Sequence, residues 1–200
     1  MRDVVGSTIA LDRSIADRVR KSVGGTVWFT GLPAAGKSTI AKVLHDLLLQ
    51  RGLESCLLDG DDLREGLNAD LGFSETDRAE NVRRLGEVAI LIARLGHLAI
   101  VSAISPYAAS RRAVRERHLA MAVTFVEVYV ATPLEVCEAR DPKGHYAQAR
   151  SGQLLSFTGV SDRYEPPESP ELTLSTEGSP EQATLEVLGM IQAAVLLSRD

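Results

Sequence analysis

The sequence has only two cysteines and no long apolar run. These two shortages argue against a disulfide-stabilised protein, a cysteine-based metal site and a membrane-spanning protein. Cys56 and Cys137 have neither metal-ligand nor redox-pair spacing, so the sequence offers no disulfide framework and no cysteine-based metal site. We interpret both as buried thiols in a reducing compartment. No apolar run is long enough to span a membrane, and acids occupy the first residues, where a signal peptide has an apolar centre. We therefore expect a cytoplasmic protein without a membrane partner.

Basic residues are also in deficit. The chain has 22 Lys and Arg against 27 Asp and Glu, a net charge of −5. The overall field therefore opposes DNA, RNA and anionic membranes, and we expect no nucleic-acid partner. The 200 residues suffice for one domain with a substantial core, and 44% hydrophobic with 24% charged residues is an ordinary globular balance.

Apolar runs alternate with helical patterns after a polar extension over residues 1–24. Five runs predict buried strands at residues 26–30, 55–59, 98–103, 125–130 and 172–175. Amphipathic spacing predicts helices at 37–50, 75–95, 106–120, 133–139 and 181–197, with proline at the first position of the third and fourth. A capping box from Ser74 to Asp77 precedes the second helix. The alternation predicts an α/β fold, a five-stranded, mostly parallel sheet with helices on both faces and ligands at the carboxyl ends of its strands.

The segment GLPAAGKST lies between the first predicted strand and the first predicted helix. It fits the phosphate-loop pattern G-x-x-x-x-G-K-[ST], in which backbone N–H groups and a helix N-terminus hold the β- and γ-phosphates. Lys37 would add a positive charge, and the Ser38 hydroxyl would bind Mg²⁺. The residues predicted to bind ATP here are Gly31, Ala34, Ala35, Gly36, Lys37, Ser38 and Thr39.

The middle of this loop is unusual. Pro33 has no N–H, so the phosphate cradle is expected from residues 35–39. A positive φ at Ala34 would cost about 1 kcal/mol. A negative φ would instead mean that Pro33 and Ala34 stiffen the loop by limiting the unfolded chain.

Acidic residues follow the second predicted strand, at Asp59, Asp61 and Asp62. They could polarise an acceptor hydroxyl or hold the metal, or they could simply cap the next helix. Their position beside the phosphate loop favours the functional interpretation. Asp59 and Asp61 therefore join Lys37 as predicted catalytic residues, and Asp59 joins Ser38 as a predicted metal ligand.

Three further features each admit two interpretations. Arg78 and Asn81, spaced i, i+3, either form a salt-bridged surface or hold an anionic group and a base or sugar. Ser105 before Pro106 is a standard helix start that would also point N–H groups into a cleft. Phe157 either stacks on a ligand ring or pins its own segment.

Residues 141–170 are rich in Gly, Pro, Ser and charge, and they are too many for a plain connector. They form either a mobile lid or a disordered insertion. Their basic side chains favour a lid, because positive charges on a closing segment neutralise phosphate charge as the site closes and excludes water. We accordingly predict one P-loop domain over residues 25–200, with the lid at about 141–170.

The chain resembles the adenylylsulfate kinase (APS kinase) family of P-loop kinases. The shared blocks run in order from about residue 24 to residue 172, and those after the phosphate loop are far more specific than the loop itself. They read TVWFTGLPAAGKST, LDGDDLREGLNADLGFSETDRAENVRRLGEVA, SAISPY, FVEVYVATPLEVCEARDPKGHYAQAR and FTGVSDRYEPPESPEL.

The resemblance implies transfer of the ATP γ-phosphate to the 3′-hydroxyl of adenosine 5′-phosphosulfate, with Mg²⁺, in sulfate assimilation. It implies that Asp61 lies near the acceptor hydroxyl, that Arg140 lies near the ATP adenine, and that two phenylalanines sandwich the acceptor adenine. It further implies a homodimer and leaves association with an ATP sulfurylase open. The residues implied to hold the acceptor are Asp61, Arg64, Phe73, Arg78, Asn81, Ile104, Ser105, Lys143 and Phe157.

The chain departs from the family pattern in the acidic block and in the lid. Asp62 stands where the family usually has asparagine, which should weaken acceptor binding unless its carboxylate points to solvent. His145 stands where leucine is common, and SGQLLSFTG replaces AGEIKGFTG. Two other functions fit the phosphate loop alone, a kinase for a sugar, nucleoside or antibiotic and an ATP-dependent regulator without an acceptor. Arg78, Asn81 and the two phenylalanines argue against the first, and the lid argues against the second.

Overall fold

A computed structural model describes residues 24–174 and 179–197. Expectations for residues 1–23 and 175–178 lie outside the described residues. Five strands and six α-helices occur within the described ranges, and a short 3₁₀ helix, Asp62–Glu65, follows the second strand. In chain order they are β1 (Gly25–Thr30), α1 (Lys37–Gln50), β2 (Ser55–Asp59), α2 (Glu75–Arg94), β3 (Leu98–Ser102), α3 (Ala108–Ala120), β4 (Thr124–Val130), α4 (Leu134–Arg140), α5 (His145–Arg150), β5 (Leu172–Leu174) and α6 (Pro180–Leu197).

The described strands form one parallel sheet in the order β2-β3-β1-β4-β5. The predicted α/β fold is therefore confirmed. Parallel strands need helical crossovers, and these cover both faces of the sheet. Central β1 is buried at all six positions, and it is built of apolar residues apart from two buried threonines, Thr26 and Thr30.

Alternate side chains of β1 enter two separate cores. Val27 and Phe29 pack with α1 and α6 on one face of the sheet. Trp28 packs on the other face with α2 and α3, against residues that include Leu85 and Val114. The two-residue period of a strand thus anchors the phosphate loop, which follows β1 directly, to both layers.

Helix starts are the main difference between prediction and structure. The predicted first-position prolines are wrong at Pro106 and Pro133, because α3 begins at Ala108 and α4 begins at Leu134 with Pro133 as its N-cap. Ser105 is not an N-cap, and it has φ +40° in the turn before the helix. Proline does occupy the first position of α6, at Pro180.

Two other local predictions have clear outcomes. The predicted cap at Ser74 is confirmed, because its side chain accepts a hydrogen bond from the Asp77 backbone N–H at 3.1 Å. The Asp77 carboxylate accepts from the Ser74 hydroxyl at 2.7 Å in place of the backbone bond that would complete a capping box. The predicted lid contains regular structure, since α5 occupies its first third. No helix in the described part of the chain is long and apolar enough to cross a membrane.

Candidate active site

A cavity of about 880 Å³ opens at the carboxyl end of the sheet. This is where a parallel α/β sheet is expected to bind ligands, and the volume suits a nucleotide-sized molecule. Of the predicted site residues, all within the described ranges, Gly31 alone is absent from the cavity lining. Those that line it are Ala34, Ala35, Gly36, Lys37, Ser38, Thr39, Asp59, Asp61, Arg64, Phe73, Arg78, Asn81, Ile104, Ser105, Arg140, Lys143 and Phe157.

The phosphate loop depends on two glycines and tolerates one strained alanine. A Cβ at Gly31 would lie 2.6 Å from the Val130 carbonyl oxygen, so only glycine lets the loop leave β1 beside β4. Gly36 caps α1 with φ +102°. Ala34 has φ +58°, which rules out the stiffening interpretation of the Pro33-Ala34 pair and leaves strain at this position.

Lys37 is buried within this loop. Its ammonium group donates to the Gly31 carbonyl at 3.0 Å and to the Leu32 carbonyl at 2.7 Å. Desolvation lowers the pKa of Lys37 to about 8. A phosphate at the mouth of the loop would raise this pKa again, because it places a counter-charge close to the buried ammonium.

The predicted metal ligands are adjacent. The Ser38 hydroxyl donates to Asp59 Oδ2 at 2.6 Å and lies 3.0 Å from the Ser102 hydroxyl. These are hard oxygen donors, which Mg²⁺ prefers, and Mg²⁺ commonly takes only one or two protein ligands beside a nucleotide. Among the described residues no group of three or more His, Cys, Asp or Glu side chains forms an all-protein metal cage. The residues present therefore fit a magnesium ion carried in with a nucleotide.

Asp61 faces the lid. Its carboxylate accepts a 2.5 Å hydrogen bond from Lys143 Nζ, and its backbone N–H donates to Asp59 Oδ1 at 2.9 Å. The bond with Asp61 raises the pKa of Lys143. Both side chains remain exposed, so an entering ligand can separate them at small cost.

Two arginines surround an exposed aromatic ring at the far end of the cavity. The guanidinium carbon of Arg64 lies 4.4 Å from the Phe73 ring centre and that of Arg78 lies 5.5 Å from it. Arg78 is buried and donates to the Phe73 carbonyl at 2.9 Å, and across to Ser156 O and Asp162 Oδ2 of the lid at 3.0 and 3.1 Å. Arg78 is therefore salt-bridged, as one of its two interpretations expected, but it is buried in the cavity wall and does not lie on a surface.

Asn81 and Ser105 are held by buried partners. Asn81 Oδ1 accepts from Asn68 Nδ2 at 2.9 Å, which leaves the Asn81 amide N–H groups for a ligand. The Ser105 hydroxyl accepts from Trp28 Nε1 at 3.1 Å and donates to Thr30 Oγ1 at 3.0 Å. Its hydroxyl is thus fully engaged, and what Ser105 offers the cavity is its backbone.

Phe157 both lines the cavity and packs into the core. Its ring meets the edge of Tyr146 with centres 4.8 Å apart. Its exposed fraction is 8%, against 53% for Phe73, so the two predicted aromatic platforms differ in how firmly they are fixed. On the other side of the phosphate loop, Arg140 Nη1 approaches the Ala35 carbonyl at 3.4 Å.

Sequence reasoning missed Tyr146 and Thr158. The Tyr146 hydroxyl donates to the Pro33 carbonyl at 3.0 Å and so connects the lid to the phosphate loop. Thr158 lines the cavity, is 1% exposed, and its hydroxyl has no hydrogen-bond partner within residues 24–174 and 179–197. A buried unpaired hydroxyl in a cavity wall suits a ligand contact. The one sequence feature that could have pointed to Thr158 is its position directly after Phe157, a predicted site residue.

Comparison with known proteins gives consistent results. The adenylylsulphate kinase family model matches residues 23–175. The adenylyl-sulfate kinase of Saccharomyces cerevisiae is 50% identical over 180 residues, which cover 90% of this chain and 87% of that protein. The bifunctional enzyme CysN/CysC of Mycobacterium tuberculosis is 48% identical over 171 residues, 86% of this chain, but the match spans only 28% of that longer protein.

A comparison with solved structures gives the same family. The structure of the Mycobacterium tuberculosis APS kinase CysC, in complex with AMPPNP and APS, superimposes with a TM-score of 0.84 at 48% identity. The match covers 86% of this chain and 99% of that one. With a family model that covers most of its length and relatives at about half identity, this chain belongs to the adenylylsulphate kinase family.

Proposed function

We propose that the protein transfers the γ-phosphate of ATP to the 3′-hydroxyl of adenosine 5′-phosphosulfate, giving 3′-phosphoadenosine 5′-phosphosulfate and ADP. One observation carries the proposal: a single cavity joins a phosphate loop to a second end with two arginines around an exposed phenylalanine. An acceptor with an anionic group and an aromatic base fits that end, because guanidinium groups bind anions and aromatic rings stack on bases. Family membership supports the same activity.

The proposed mechanism relies on positioning and charge. Backbone N–H groups of residues 35–39 hold the β- and γ-phosphates, and Lys37 neutralises charge that grows on them during transfer. Asp61 orients the acceptor hydroxyl and takes its proton as the oxygen attacks phosphorus. Lys143 leaves Asp61 when the acceptor enters and pairs with the anionic group of the acceptor.

Magnesium is the proposed metal. Ser38 and Asp59 would hold it through their side-chain oxygen atoms, which lie 2.6 Å apart and so are close enough to bind one ion. When bound, Mg²⁺ supplies charge neutralisation at the phosphate oxygens. Ala34, Gly36, Thr39 and Arg140 are proposed to contact ATP, and Ile104, Ser105 and Asn81 to form the acceptor wall.

The decisive measurement is ADP release from ATP and Mg²⁺ with and without adenosine 5′-phosphosulfate. We expect strong stimulation by this acceptor, with 3′-phosphoadenosine 5′-phosphosulfate as the product by chromatography. Gluconate, shikimate and nucleosides serve as competing acceptors. Stimulation by one of them and not by adenosine 5′-phosphosulfate would refute the proposal, and nucleotide binding without any acceptor effect would favour a regulator.

We also propose a homodimeric cytoplasmic enzyme in which residues 25–200 form the kinase domain. The relationship to a bifunctional enzyme supports association with an ATP sulfurylase. Sedimentation equilibrium tests the dimer, and a monomer or a larger assembly would contradict it. Co-purification with an ATP sulfurylase from the native cell tests the association.

A further inference from the structure

Arg111 lies behind the cavity wall and belongs to none of the predicted site residues. It is 3% exposed, and its guanidinium group contacts three separate segments. Nε donates to Glu127 Oε1 of β4 at 2.9 Å, Nη1 donates to the Ser105 carbonyl at 2.7 Å, and Nη2 donates to the Glu165 carbonyl at 2.6 Å. A buried arginine whose three guanidinium nitrogens each donate to a different segment can fix the relative position of all three segments.

The first segment is the strained turn at Ser105. A serine with φ +40° persists only where its surroundings over-determine it. The Ser105 hydroxyl is fixed by Trp28 and Thr30, and its carbonyl is fixed by Arg111. Because Ser105 lines the cavity, the Arg111 hydrogen bond holds the carbonyl of a residue in that wall.

The second segment is the exit of the lid at Glu165. Its backbone N–H donates to the Pro106 carbonyl at 2.8 Å, and its side chain accepts from the Ala108 N–H, also at 2.8 Å. Arg111 completes this attachment by binding the Glu165 carbonyl. Asp162, three residues earlier, is the lid partner of Arg78. The position of Glu165 therefore influences where Asp162 pairs with Arg78.

Arg115 offers a matched comparison. It lies one helical turn after Arg111 and shares the carboxylate of Glu127, at 3.1 Å to Oε2. Its other partner is Glu171, at 2.5 Å, and neither Ser105 nor Glu165 is among its hydrogen-bond partners. Removal of either arginine would disturb the same buried glutamate, but only Arg111 touches the cavity wall and the lid exit.

We propose that Arg111 is a positioning residue for the acceptor half of the site, acting through the Ser105 backbone and the Glu165 end of the lid without touching substrate. The inference rests on the proposed function. The proposed effect is confined to the acceptor half of the cavity. The phosphate loop lies between β1 and α1 and receives no hydrogen bond from Arg111.

The test compares Arg111→Lys and Arg111→Met with Arg115→Met. Lysine keeps the charge against Glu127 and so retains the fold, but it cannot span three acceptors with one planar group. We expect both Arg111 variants to raise KM for adenosine 5′-phosphosulfate at least tenfold and to lower kcat, with KM for ATP within twofold of wild type. Arg115→Met should leave both KM values within threefold, even where it lowers the melting temperature as much as Arg111→Lys. Equal changes for ATP and acceptor, or equal effects of the Arg111 and Arg115 variants, would overturn the proposal.

A second measurement does not depend on the reaction. Hydrogen exchange in the ligand-free protein should accelerate at residues 104–108 and 157–165 in Arg111→Lys and stay unchanged there in Arg115→Met. Unchanged exchange in both variants would overturn the positioning role, whatever the substrate. An inactive wild-type protein with the expected exchange pattern would instead refute the proposed function and keep the role of Arg111 in holding the wall.

Discussion

The Tyr146 hydroxyl donates a 3.0 Å hydrogen bond to the carbonyl of Pro33, 113 residues earlier in the chain, while the Tyr146 ring packs edge-on against Phe157. One side chain therefore contacts both the phosphate loop and the ring of Phe157, which is proposed to lie on the acceptor side. The backbone of Gly159 in the predicted lid also lies close to the phosphate loop, since a Cβ added at Gly159 would lie 3.1 Å from Leu32 Cδ2. The predicted lid is packed directly on the phosphate loop.

Tyr146→Phe should loosen this packing. It removes the hydroxyl and keeps the ring against Phe157, so it deletes one hydrogen bond worth about 1 kcal/mol. Amides of residues 145–150 should exchange roughly fivefold faster, a factor that corresponds to about 1 kcal/mol. Tyr164→Phe is the control, because its hydroxyl contacts Thr30 at 2.9 Å and not the phosphate loop. Identical exchange in the Tyr146 variant and wild type would contradict the prediction.

Ala34→Gly should stabilise the protein. Alanine at φ +58° is strained by about 1–2 kcal/mol, and the extra freedom of glycine in the unfolded chain offsets about half of that. We expect a net gain of about 0.5–1 kcal/mol in the free energy of unfolding by urea titration. Ala35→Gly serves as the comparison, because Ala35 has no positive φ and is 1% exposed, so its loss should destabilise. Destabilisation by both substitutions would show that the strain at Ala34 is relieved in another way.

The same substitution should have a large effect at Asp61 and almost none at Asp62. The Asp62 side chain is exposed, and Asp62 is absent from the cavity lining, whereas Asp61 lines the cavity. We expect Asp62→Asn to change KM for adenosine 5′-phosphosulfate by less than twofold, although it restores the usual family residue. Asp61→Asn should lower kcat on the order of 100- to 10,000-fold. A large gain in acceptor affinity for Asp62→Asn would mean that its carboxylate does reach the bound ligand.

Arg78→Ala should act on the acceptor and spare ATP. Truncation of a buried, paired arginine costs about 2–5 kcal/mol, which would raise KM for adenosine 5′-phosphosulfate roughly 30- to 4,000-fold. Steady-state kinetics with each substrate varied in turn measures the effect. Arg83→Ala on the same helix is the control, because Arg83 is 60% exposed and pairs with Glu80. An equal loss of affinity for both substrates would mark Arg78 as a structural residue.

His118 should make stability fall in mild acid. The ring is fully buried, with Nδ1–H donating to the Val114 carbonyl at 2.8 Å and Nε2 accepting from Thr26 at 2.9 Å. Desolvation lowers the pKa of His118, so below about pH 6.5 the unfolded chain binds more protons than the folded protein. The contribution of His118 to the free energy of unfolding is therefore complete above that pH and is lost as the pH falls below it. Urea titrations at pH 5.5 and 7.5 should show a smaller pH effect in His118→Gln, and equal pH effects would assign the acid sensitivity to other groups.

Local signals explain why much of the site was predictable. The phosphate loop, the Ser74 cap and the apolar strands are each encoded within a few neighbouring residues, so spacing alone located them. Parallel crossovers then require the carboxyl ends of β1, β2 and β3 to meet at one edge, which brings Lys37, Ser38 and Asp59 together. Local patterns left two interpretations open for Arg78, Asn81 and Phe157 and did not single out Phe73 or Ile104. The resemblance to a family is what assigned these residues to an acceptor.

The sequence by itself determined the order of the site segments along the chain: a phosphate loop, then acids, then arginines, then a segment rich in both charges that was predicted to be a lid. Only the tertiary structure decided that Ser105 adopts φ +40°, that Ala34 is strained, and that Arg111 binds Glu165, 54 residues away. These features arise from contacts between distant segments, which compete with local helix-start and turn preferences and prevail when burial leaves a polar group no other partner.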